Sequence, residues 1–315
     1  MENNKIKILI SSKSFGKTGD EGIGILKNAG IEPVVNTTDK KLNEDELLEM
    51  ADGAVGIIAG TEKISGKVIT GVDSLKVISR YGVGIDNVDL EAAYKKGVTV
   101  FNTPDAPTDA VAELTLSLIL NLLRKISVSD SGIRKNSWKP MLGNLLSGKT
   151  VGILGLGKIG KKAVRLLEPF NVNFLAYELK PDESFTKKYN IKIVPIDTIL
   201  AESDVISIHL PSTEETRHII NSDAFSKMKK TAILINTARG DLVEEKALYE
   251  SLKDNKIAGA GLDVFENEPY SGKLKELDNT ILTPHIGSST VETRRTMDVE
   301  SVNNLIKGLK EAGVL

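Results

Sequence analysis

Short apolar segments rich in β-branched residues alternate with amphipathic segments along this chain, and the alternation limits its fold more than any other feature. Predicted strands are Ile6–Ile10, Pro33–Val35, Ala54–Ala59, Lys76–Ser79, Thr99–Phe101, Thr150–Leu154, Phe174–Tyr177, Val205–Ile208, Ala232–Ile235, Ala258–Leu262 and Thr280–Leu282. Helical spacing of apolar residues is found between the first of them, in Asp20–Ala29, Asn43–Met50 and Asp89–Lys96. Such βαβ units predict parallel sheets with helices on both faces.

The alternation breaks once, after the fifth strand. Pro104 and Pro107 stop the strand, and a long helix is predicted over Ala110–Arg124, followed by a polar segment around Trp138. Alternation then resumes at residue 150, and one long helix, Val291–Leu309, closes the chain. A length of 315 residues suits two domains, so we predict two α/β domains with the second inserted into the first.

Composition excludes several classes of function. Because the chain has no cysteine, it has no disulfide, thiolate nucleophile or cysteine-ligated metal, and no metal site is expected. A formal charge of -2 gives no electrostatic reason to expect nucleic acid or an anionic membrane as a partner. The apolar run after Met1–Asn4 is too short for a signal peptide, and Ala110–Leu123 is too short to cross a bilayer. A cytoplasmic protein is therefore expected.

A glycine-rich turn follows the strand that ends at Leu154. Gly155 allows a tight turn, Gly157 permits close approach of a pyrophosphate, and Gly160 permits close packing of helix on strand. About 20 residues downstream, Glu178 ends the next strand, where a carboxylate accepts hydrogen bonds from an adenosine ribose and repels a 2′-phosphate. The pattern predicts a dinucleotide site that prefers NAD to NADP. A glycine turn beside a surface acid is the alternative.

Three histidines are the candidates for proton transfer. His218 lies in a polar segment and is expected at the surface, whereas His209 and His285 each follow a strand, at the sheet edge that faces a ligand. His209 fits a cofactor cleft and a structural role equally well. Small residues after His285 leave room for a ligand, so its imidazole suits proton transfer to an alkoxide.

Two charged residues complement His285. Glu268 can pair with the imidazole, and Arg239, which follows another strand, can bind a carboxylate with its forked guanidinium. In the first domain, the amides of Val83 and Gly84 in a double-glycine turn can form an anion nest. Each of these residues taken alone would more often be structural.

The motifs together resemble the D-isomer-specific 2-hydroxyacid dehydrogenase family, and most closely its phosphoglycerate dehydrogenase-like branch. The likeness runs over essentially the whole chain and rests on motifs at 80–89, 102–104, 111–115, 155–160, 236–240, 261–266, 268–269 and 283–287. It implies a Rossmann NAD-binding domain, residues 102–285, inserted into a flavodoxin-like substrate domain, residues 1–101 and 286–315, each with a doubly wound parallel sheet. A family member is an NAD-dependent oxidoreductase that acts on the CH–OH group of a 2-hydroxy acid.

The resemblance also implies roles for individual residues. Arg239, Glu268 and His285 are the expected catalytic set, with Glu268 orienting His285, and Val83 and Gly84 hold the substrate carboxylate. The expected cofactor-binding residues are Gly155, Gly157, Lys158, Ile159, Gly160, Glu178, His209, Pro211, Thr237, Ala238, Asp263 and Thr108, with Asp263 on the nicotinamide amide. The family's ribose-binding acid is commonly aspartate, and Glu178 is one methylene longer. A homodimer is expected, with the Trp138 region reaching the partner subunit.

Substrate identity is left open. The branch favours 3-phosphoglycerate and phosphohydroxypyruvate, at the start of serine biosynthesis, and Lys13, Lys17, Arg80 and Arg134 are the cations that could bind the phosphate. A glyoxylate or hydroxypyruvate reductase is the alternative. No regulatory domain is expected after Leu315. An NAD(H)-sensing protein like the transcriptional corepressors of this fold is the alternative from another class, disfavoured because no extended tails flank the domains.

Overall fold

The computed structural model describes residues 6–38 and 40–315. Within them the strands are β1 Ile6–Ile10, β2 Ile31–Val35, β3 Gly56–Ala59, β4 Val77–Arg80, β5 Thr99–Asn102, β6 Thr150–Leu154, β7 Asn173–Tyr177, β8 Lys192–Ile193, β9 Val205–Ile208, β10 Ile233–Asn236, β11 Gly259–Leu262 and β12 Thr280–Leu282. The helices are α1 Glu21–Asn28, α2 Glu44–Met50, α3 Gly66–Gly71, α4 Leu90–Lys96, α5 Thr108–Arg124, α6 Ile126–Arg134, α7 Lys158–Leu167, α8 Glu183–Lys188, α9 Ile196–Glu202, α10 Ser222–Lys227, α11 Glu245–Lys253 and α12 Val291–Glu311. Met1–Asn4, considered above for a signal peptide, lie outside the described residues.

The chain forms two compact units. The first comprises the described residues up to Pro107 together with Ser288–Leu315, and the second is Thr108–Gly287. The boundaries expected from the sequence, 101/102 and 285/286, lie a few residues earlier, because the proline-containing segment before α5 stays with the first unit. The assignment of substrate to one unit and cofactor to the other stays a prediction.

The first unit is built on a five-stranded parallel sheet of order β2-β1-β3-β4-β5. This is the flavodoxin-like order. Strand β2 begins at Ile31, two residues before the predicted start, and Pro33 lies within it. A proline is tolerated there because β2 is at the edge of the sheet, where the missing N–H breaks no ladder.

Alternating side chains of β1 enter two different cores. Ile8 and Ile10 pack with Leu26 of α1 and Leu305 of α12 on one face of the sheet. Leu9 packs on the other face with buried residues of α2, α3 and α4. The two-residue repeat of a strand thus directs apolar side chains into both layers of helices, and this explains why the residues of β1 other than Lys7 are apolar.

The second unit is built on a seven-stranded parallel sheet of order β12-β11-β10-β9-β6-β7-β8. Counted from β6, this is the Rossmann order extended by one strand, and the order reverses between β6 and β9. Ligands of such sheets bind outside the carboxyl ends of the strands near that reversal. The predicted fold class, a Rossmann domain inserted into a flavodoxin-like domain, is confirmed.

One helix lies where the sequence indicated only a polar segment. The nine residues of α6, Ile126–Arg134, follow α5 after Lys125, and none of them is buried. Three serines and Gly132 within these nine residues have low intrinsic helix propensity, so the sequence indicates a polar segment there. No helix in the described part of the chain is both long and apolar enough to cross a membrane.

Candidate active site

The glycine-rich turn joins β6 to α7, and two of its glycines are required by close contacts. Gly155 has φ +99°, and a Cβ there would lie 2.8 Å from the His209 carbonyl oxygen. At Gly160 a Cβ would lie 2.1 Å from the Gly155 carbonyl oxygen. Gly157 is different, because it precedes the first turn of α7 and a Cβ would meet nothing within 4 Å. The open space beside a helix N-terminus suits a pyrophosphate.

Glu178 lies directly after β7, beside this turn. Its Oε2 accepts a hydrogen bond from the Leu156 amide at 2.9 Å, and its Oε1 accepts one from the Lys180 amide at 3.1 Å. These two bonds hold the longer glutamate side chain against the glycine-rich turn. A carboxylate so placed fits the ribose of a dinucleotide, as the sequence predicted.

Two of the expected cofactor-binding residues of the second unit carry a shielded polar atom. Thr108 Oγ1 and His209 Nδ1 have no hydrogen-bond partner within the described residues. Such atoms are rare unless a ligand or water completes them, and their presence fits a polar group such as the nicotinamide amide. Burial lowers the pKa of His209 to about 4, so its ring is neutral at physiological pH. The expected residues Lys158 and Ile159 form the first turn of α7, and Pro211 follows β9.

Arg239 is placed by a turn after β10 that Asn236 organises. The Asn236 Oδ1 accepts from the Ala238 amide at 3.0 Å, and its Nδ2 donates to the Arg239 carbonyl at 2.7 Å. Arg239 Nη1 in turn donates to the Ala238 carbonyl at 2.7 Å. The Thr237 hydroxyl contacts the Thr115 hydroxyl at 3.0 Å. Sequence reasoning missed Asn236, although asparagine at a strand end is a recognised turn signal.

Gly240 lets two loops at this edge approach each other. A Cβ at Gly240 would lie 1.9 Å from the Phe265 carbonyl carbon, so no other residue fits without moving the main chain. The segment after β11 therefore lies directly against the segment that carries Arg239. Glu268 follows in that second segment, and its Oε1 accepts from the Phe265 amide at 3.2 Å.

The predicted pair of Glu268 and His285 is present. His285 Nδ1 lies 2.9 Å from Glu268 Oε2 and 3.2 Å from Oε1. The side chains are 40% and 34% exposed, so the imidazole is anchored on one nitrogen while part of the ring faces solvent. A carboxylate on Nδ1 sets the tautomer and stabilises the imidazolium. The role of the pair in catalysis stays a prediction.

Four neighbouring strands place these groups at one edge of the sheet. In the order β12-β11-β10-β9, their carboxyl ends carry His285, Asp263, Arg239 and His209. Asp263 is 1% exposed, and its carboxylate accepts hydrogen bonds from the segment around His285. The predicted contact of Asp263 with the nicotinamide amide stays a prediction.

In the first unit, Val83 and Gly84 lie in the loop after β4. Gly82 precedes them with φ +146°, and its amide donates to Thr103 Oγ1 at 2.8 Å. The Val83 carbonyl accepts from Asn102 Nδ2 at 2.6 Å. Within the described part of the chain, neither the Val83 nor the Gly84 amide donates a hydrogen bond. Two such amides fit the predicted anion nest.

His218 lies apart from this set. It occupies a turn with φ +50°, and its Nε2 lies 2.9 Å from Glu266 Oε1. The residue is therefore paired, not merely at the surface as the sequence suggested. Among the described residues, no group of three or more His, Asp or Glu side chains could hold a metal ion.

Comparison with known proteins agrees with this geometry. Residues 116–287 match the family model described as "D-isomer specific 2-hydroxyacid dehydrogenase, NAD binding domain". The chain is 42% identical over 301 residues to a glyoxylate reductase of Thermofilum pendens, covering 92% of this chain and 89% of that protein. It is 39% identical over 311 residues to a D-3-phosphoglycerate dehydrogenase of Methanocaldococcus jannaschii, covering 96% of this chain but 58% of that protein.

A solved structure extends the likeness to three dimensions. The D-lactate dehydrogenase of Aquifex aeolicus, crystallised with NAD and lactic acid, superposes with a TM-score of 0.84 at 30% identity. The match covers 98% of this chain and 96% of that one. The match to the NAD-binding family model and the similarity to this structure over both units together account for the glycine-rich turn. They also account for the polar residues at the carboxyl ends of the strands in the second sheet.

Proposed function

Because the chain belongs to the D-isomer-specific 2-hydroxyacid dehydrogenase family and its cofactor is NAD, we propose that it reduces an unphosphorylated 2-oxo acid, of the hydroxypyruvate and glyoxylate class. The chain is an oxidoreductase that acts on the CH–OH group. The observation that carries the choice of substrate concerns Arg80, one of the four cations considered for a phosphate. Arg80 is buried and already hydrogen-bonded.

The chemistry assigns one role to each residue of the catalytic set. The glycine-rich turn and Glu178 would hold NADH, which would supply the hydride that reduces C2 of the acid. His285, held through Nδ1 by Glu268, donates a proton from its other ring nitrogen to the C2 oxygen. Glu268 stabilises the imidazolium before that transfer. Arg239, oriented by its bond to the Ala238 carbonyl, pairs with the acid carboxylate and polarises the carbonyl.

Arg80 is poorly placed to receive a phosphate. It is 7% exposed, its Nε donates to Asn87 Oδ1 at 3.1 Å, and its Nη1 donates to the Tyr81 carbonyl. Arg134 lies in α6 of the second unit and pairs with Asp130 at 2.8 Å. Arg80 and Arg134 are thus engaged within the chain.

A buried carboxylate lies near Arg80 in the first unit. Glu62 is 2% exposed, and its Oε1 accepts from the Gly60 amide at 2.6 Å and from the Ser11 hydroxyl. Asn87, which binds Arg80, also donates to the Glu62 carbonyl at 2.6 Å, so Glu62 belongs to the same edge as the Val83–Gly84 loop. A negative charge there disfavours a dianionic phosphate and tolerates a hydroxyl.

Phosphohydroxypyruvate is the second candidate substrate. Lys13 and Lys17 are exposed in the loop after β1, and the phosphoglycerate dehydrogenase relative supports this alternative. NADH oxidation measured with phosphohydroxypyruvate, hydroxypyruvate, glyoxylate, pyruvate and 2-oxoglutarate separates the two. We expect the highest kcat/KM with hydroxypyruvate or glyoxylate. A higher value with phosphohydroxypyruvate would reverse the assignment, and NADH binding without any turnover would favour the sensing protein.

Replacing Glu62 by glutamine tests the charge argument. The amide keeps the acceptor oxygen but removes the charge, so we expect the kcat/KM ratio of phosphohydroxypyruvate to hydroxypyruvate to rise about threefold or more. Glu32→Gln, at an exposed position of the edge strand β2, is the matched control and should leave the ratio unchanged. An unchanged ratio in E62Q would show that the carboxylate does not select the substrate.

The quaternary structure proposed is a homodimer formed through the second unit. In α6 and the segment after it, large apolar side chains are exposed, with Trp138 at 87% and Leu142 at 93%. Contiguous exposed apolar residues of this kind mark interaction surfaces. We expect light scattering to give twice the chain mass for the wild type, and the chain mass for Leu142→Asp. Leu90→Asp, an exposed leucine of α4, should remain dimeric.

A further inference from the structure

Asp263 directly follows β11 and is almost completely shielded from solvent. Its Oδ1 accepts hydrogen bonds from the Thr283 hydroxyl at 2.6 Å and from the Ile286 amide at 2.8 Å. Its Oδ2 accepts one from the Gly287 amide at 2.7 Å. The three donors come from both sides of His285, so one carboxylate holds the whole segment that carries the imidazole.

The main chain adds a fourth bond to this arrangement. The His285 amide donates to the Asp263 carbonyl at 2.9 Å and to the Thr283 carbonyl at 3.0 Å. His285 itself has φ +54°, a left-handed conformation that costs energy for a residue other than glycine and persists only where neighbours impose it. The bonds to Asp263 are the contacts that impose it here.

The charge of Asp263 suits this role better than any neutral side chain would. Burial raises the pKa of Asp263, while the bonds from Thr283, Ile286 and Gly287 counteract that effect by stabilising the carboxylate. Gly287 must remain small, because a Cβ would lie 3.1 Å from Asp263 Oδ2 and 3.2 Å from a methyl carbon of Val111. The length and charge of the Asp263 side chain and the lack of a side chain at Gly287 therefore suit the close approach of the two segments.

We propose that Asp263 is a positioning residue, whose carboxylate fixes the segment 283–287 and through it the imidazole of His285. The inference rests on the proposed function only in that His285 is the proton donor. Glu268 holds the ring and Asp263 holds the backbone beneath it. Each carboxylate oxygen can accept two hydrogen bonds, so this role is compatible with the contact to the nicotinamide amide that the family resemblance suggested.

Asp263→Asn tests the proposal in the protein as it exists. Asparagine has the shape of aspartate, but its side-chain N–H groups would face the donors of the segment 283–287 instead of accepting from them. We expect kcat to fall about 100-fold, as for loss of a positioned general acid, with the Kd of NADH, followed by fluorescence, within twofold of wild type. Hydrogen exchange of a peptide covering 283–290 should accelerate without any ligand. Asp204→Asn is the matched control, since Asp204 accepts the Thr150 amide at 2.9 Å at the opposite edge of the same sheet; it should leave kcat and this exchange unchanged.

Two results would overturn the proposal. One is an NADH Kd raised tenfold or more with unchanged exchange at 283–290, which makes Asp263 a cofactor ligand. The other is unchanged exchange together with unchanged kcat.

Should D263N fail to fold, Thr283→Val removes a single donor to Asp263. This variant should show faster exchange and a kcat loss of about threefold to tenfold; no change in either quantity contradicts the role. If the wild type turns over no 2-oxo acid, the proposed function fails, while the exchange measurement still decides the role of Asp263.

Discussion

Two histidines occupy equivalent positions in the second unit and have opposite surroundings. His209 follows β9 and His285 follows β12, both at the carboxyl edge of one sheet. His209 has a shielded Nδ1 with no partner in the described part of the chain, and its Nε2 contacts the Ser207 hydroxyl at 2.9 Å. Burial lowers the pKa of His209 to about 4. His285 faces solvent in part and binds the Glu268 carboxylate through Nδ1.

The difference shows that a strand-end position alone does not make a histidine a proton donor. A carboxylate partner and access to solvent let His285 carry and exchange a proton, whereas the desolvated ring of His209 stays neutral. Neutral His209 instead offers a shielded polar atom, which suits contact with a bound cofactor. We therefore propose proton transfer for His285 and cofactor contact for His209.

Replacement of His285 is expected to have the largest effect. His285→Gln removes the proton donor, so kcat for NADH oxidation should fall by roughly 10²–10⁴-fold with the NADH Kd nearly unchanged. His218→Gln, at the paired histidine outside the set, serves as the control and should keep wild-type turnover. A kcat of H285Q within a few fold of wild type would mean that His285, like His209, is not the proton donor.

The second prediction concerns the free energy of unfolding in acid, to which His209 and not His285 is expected to contribute. Its pKa of about 4 lies below the ordinary 6.5, so the unfolded chain binds a proton that the folded chain does not between those values. Stability contributed by the neutral ring is present above pH 6.5 and is lost as the pH falls toward 4, in total about 3 kcal/mol.

Urea unfolding at pH 7 and at pH 4 measures this loss. His209→Gln cannot titrate, so the variant should lose about 3 kcal/mol less than wild type between the two pH values. Carboxylates titrate in both proteins and cancel in the comparison. Parallel losses in both proteins would mean that the His209 ring is not desolvated.

Neutralising the partner of His285 should have the smallest effect of the three. Glu268→Gln keeps an oxygen for the Nδ1 proton but loses the charge that strengthens the bond, so we expect kcat to fall roughly tenfold, about 1.4 kcal/mol. Glu266→Gln, two residues earlier and paired with His218, is the control and should change kcat less than twofold. A loss in E268Q as large as that in H285Q would assign the proton transfer to the carboxylate itself.

Local pattern was sufficient for much of the fold and site. The strands other than the two-residue β8, the glycine-rich turn and the long helices are visible in the chain because each is specified by neighbouring residues, for example Gly155 and Gly160 on either side of one turn. The short α6 was missed because its three serines and Gly132 have low helix propensity. Asn236 was missed because its two hydrogen bonds shape a turn without touching the predicted chemistry.

By itself, the sequence determined the order of the βαβ units and the family, since both follow from residue types and motifs along the chain. The set of Arg239, Glu268 and His285 is a prediction from the family resemblance. Only the tertiary structure decided which histidine is desolvated and which is paired. It also decided that Arg80 is engaged and that Asp263 binds a segment more than 19 residues downstream. Burial and hydrogen-bond partners depend on segments distant in the chain packing together, and a local pattern carries no record of that packing.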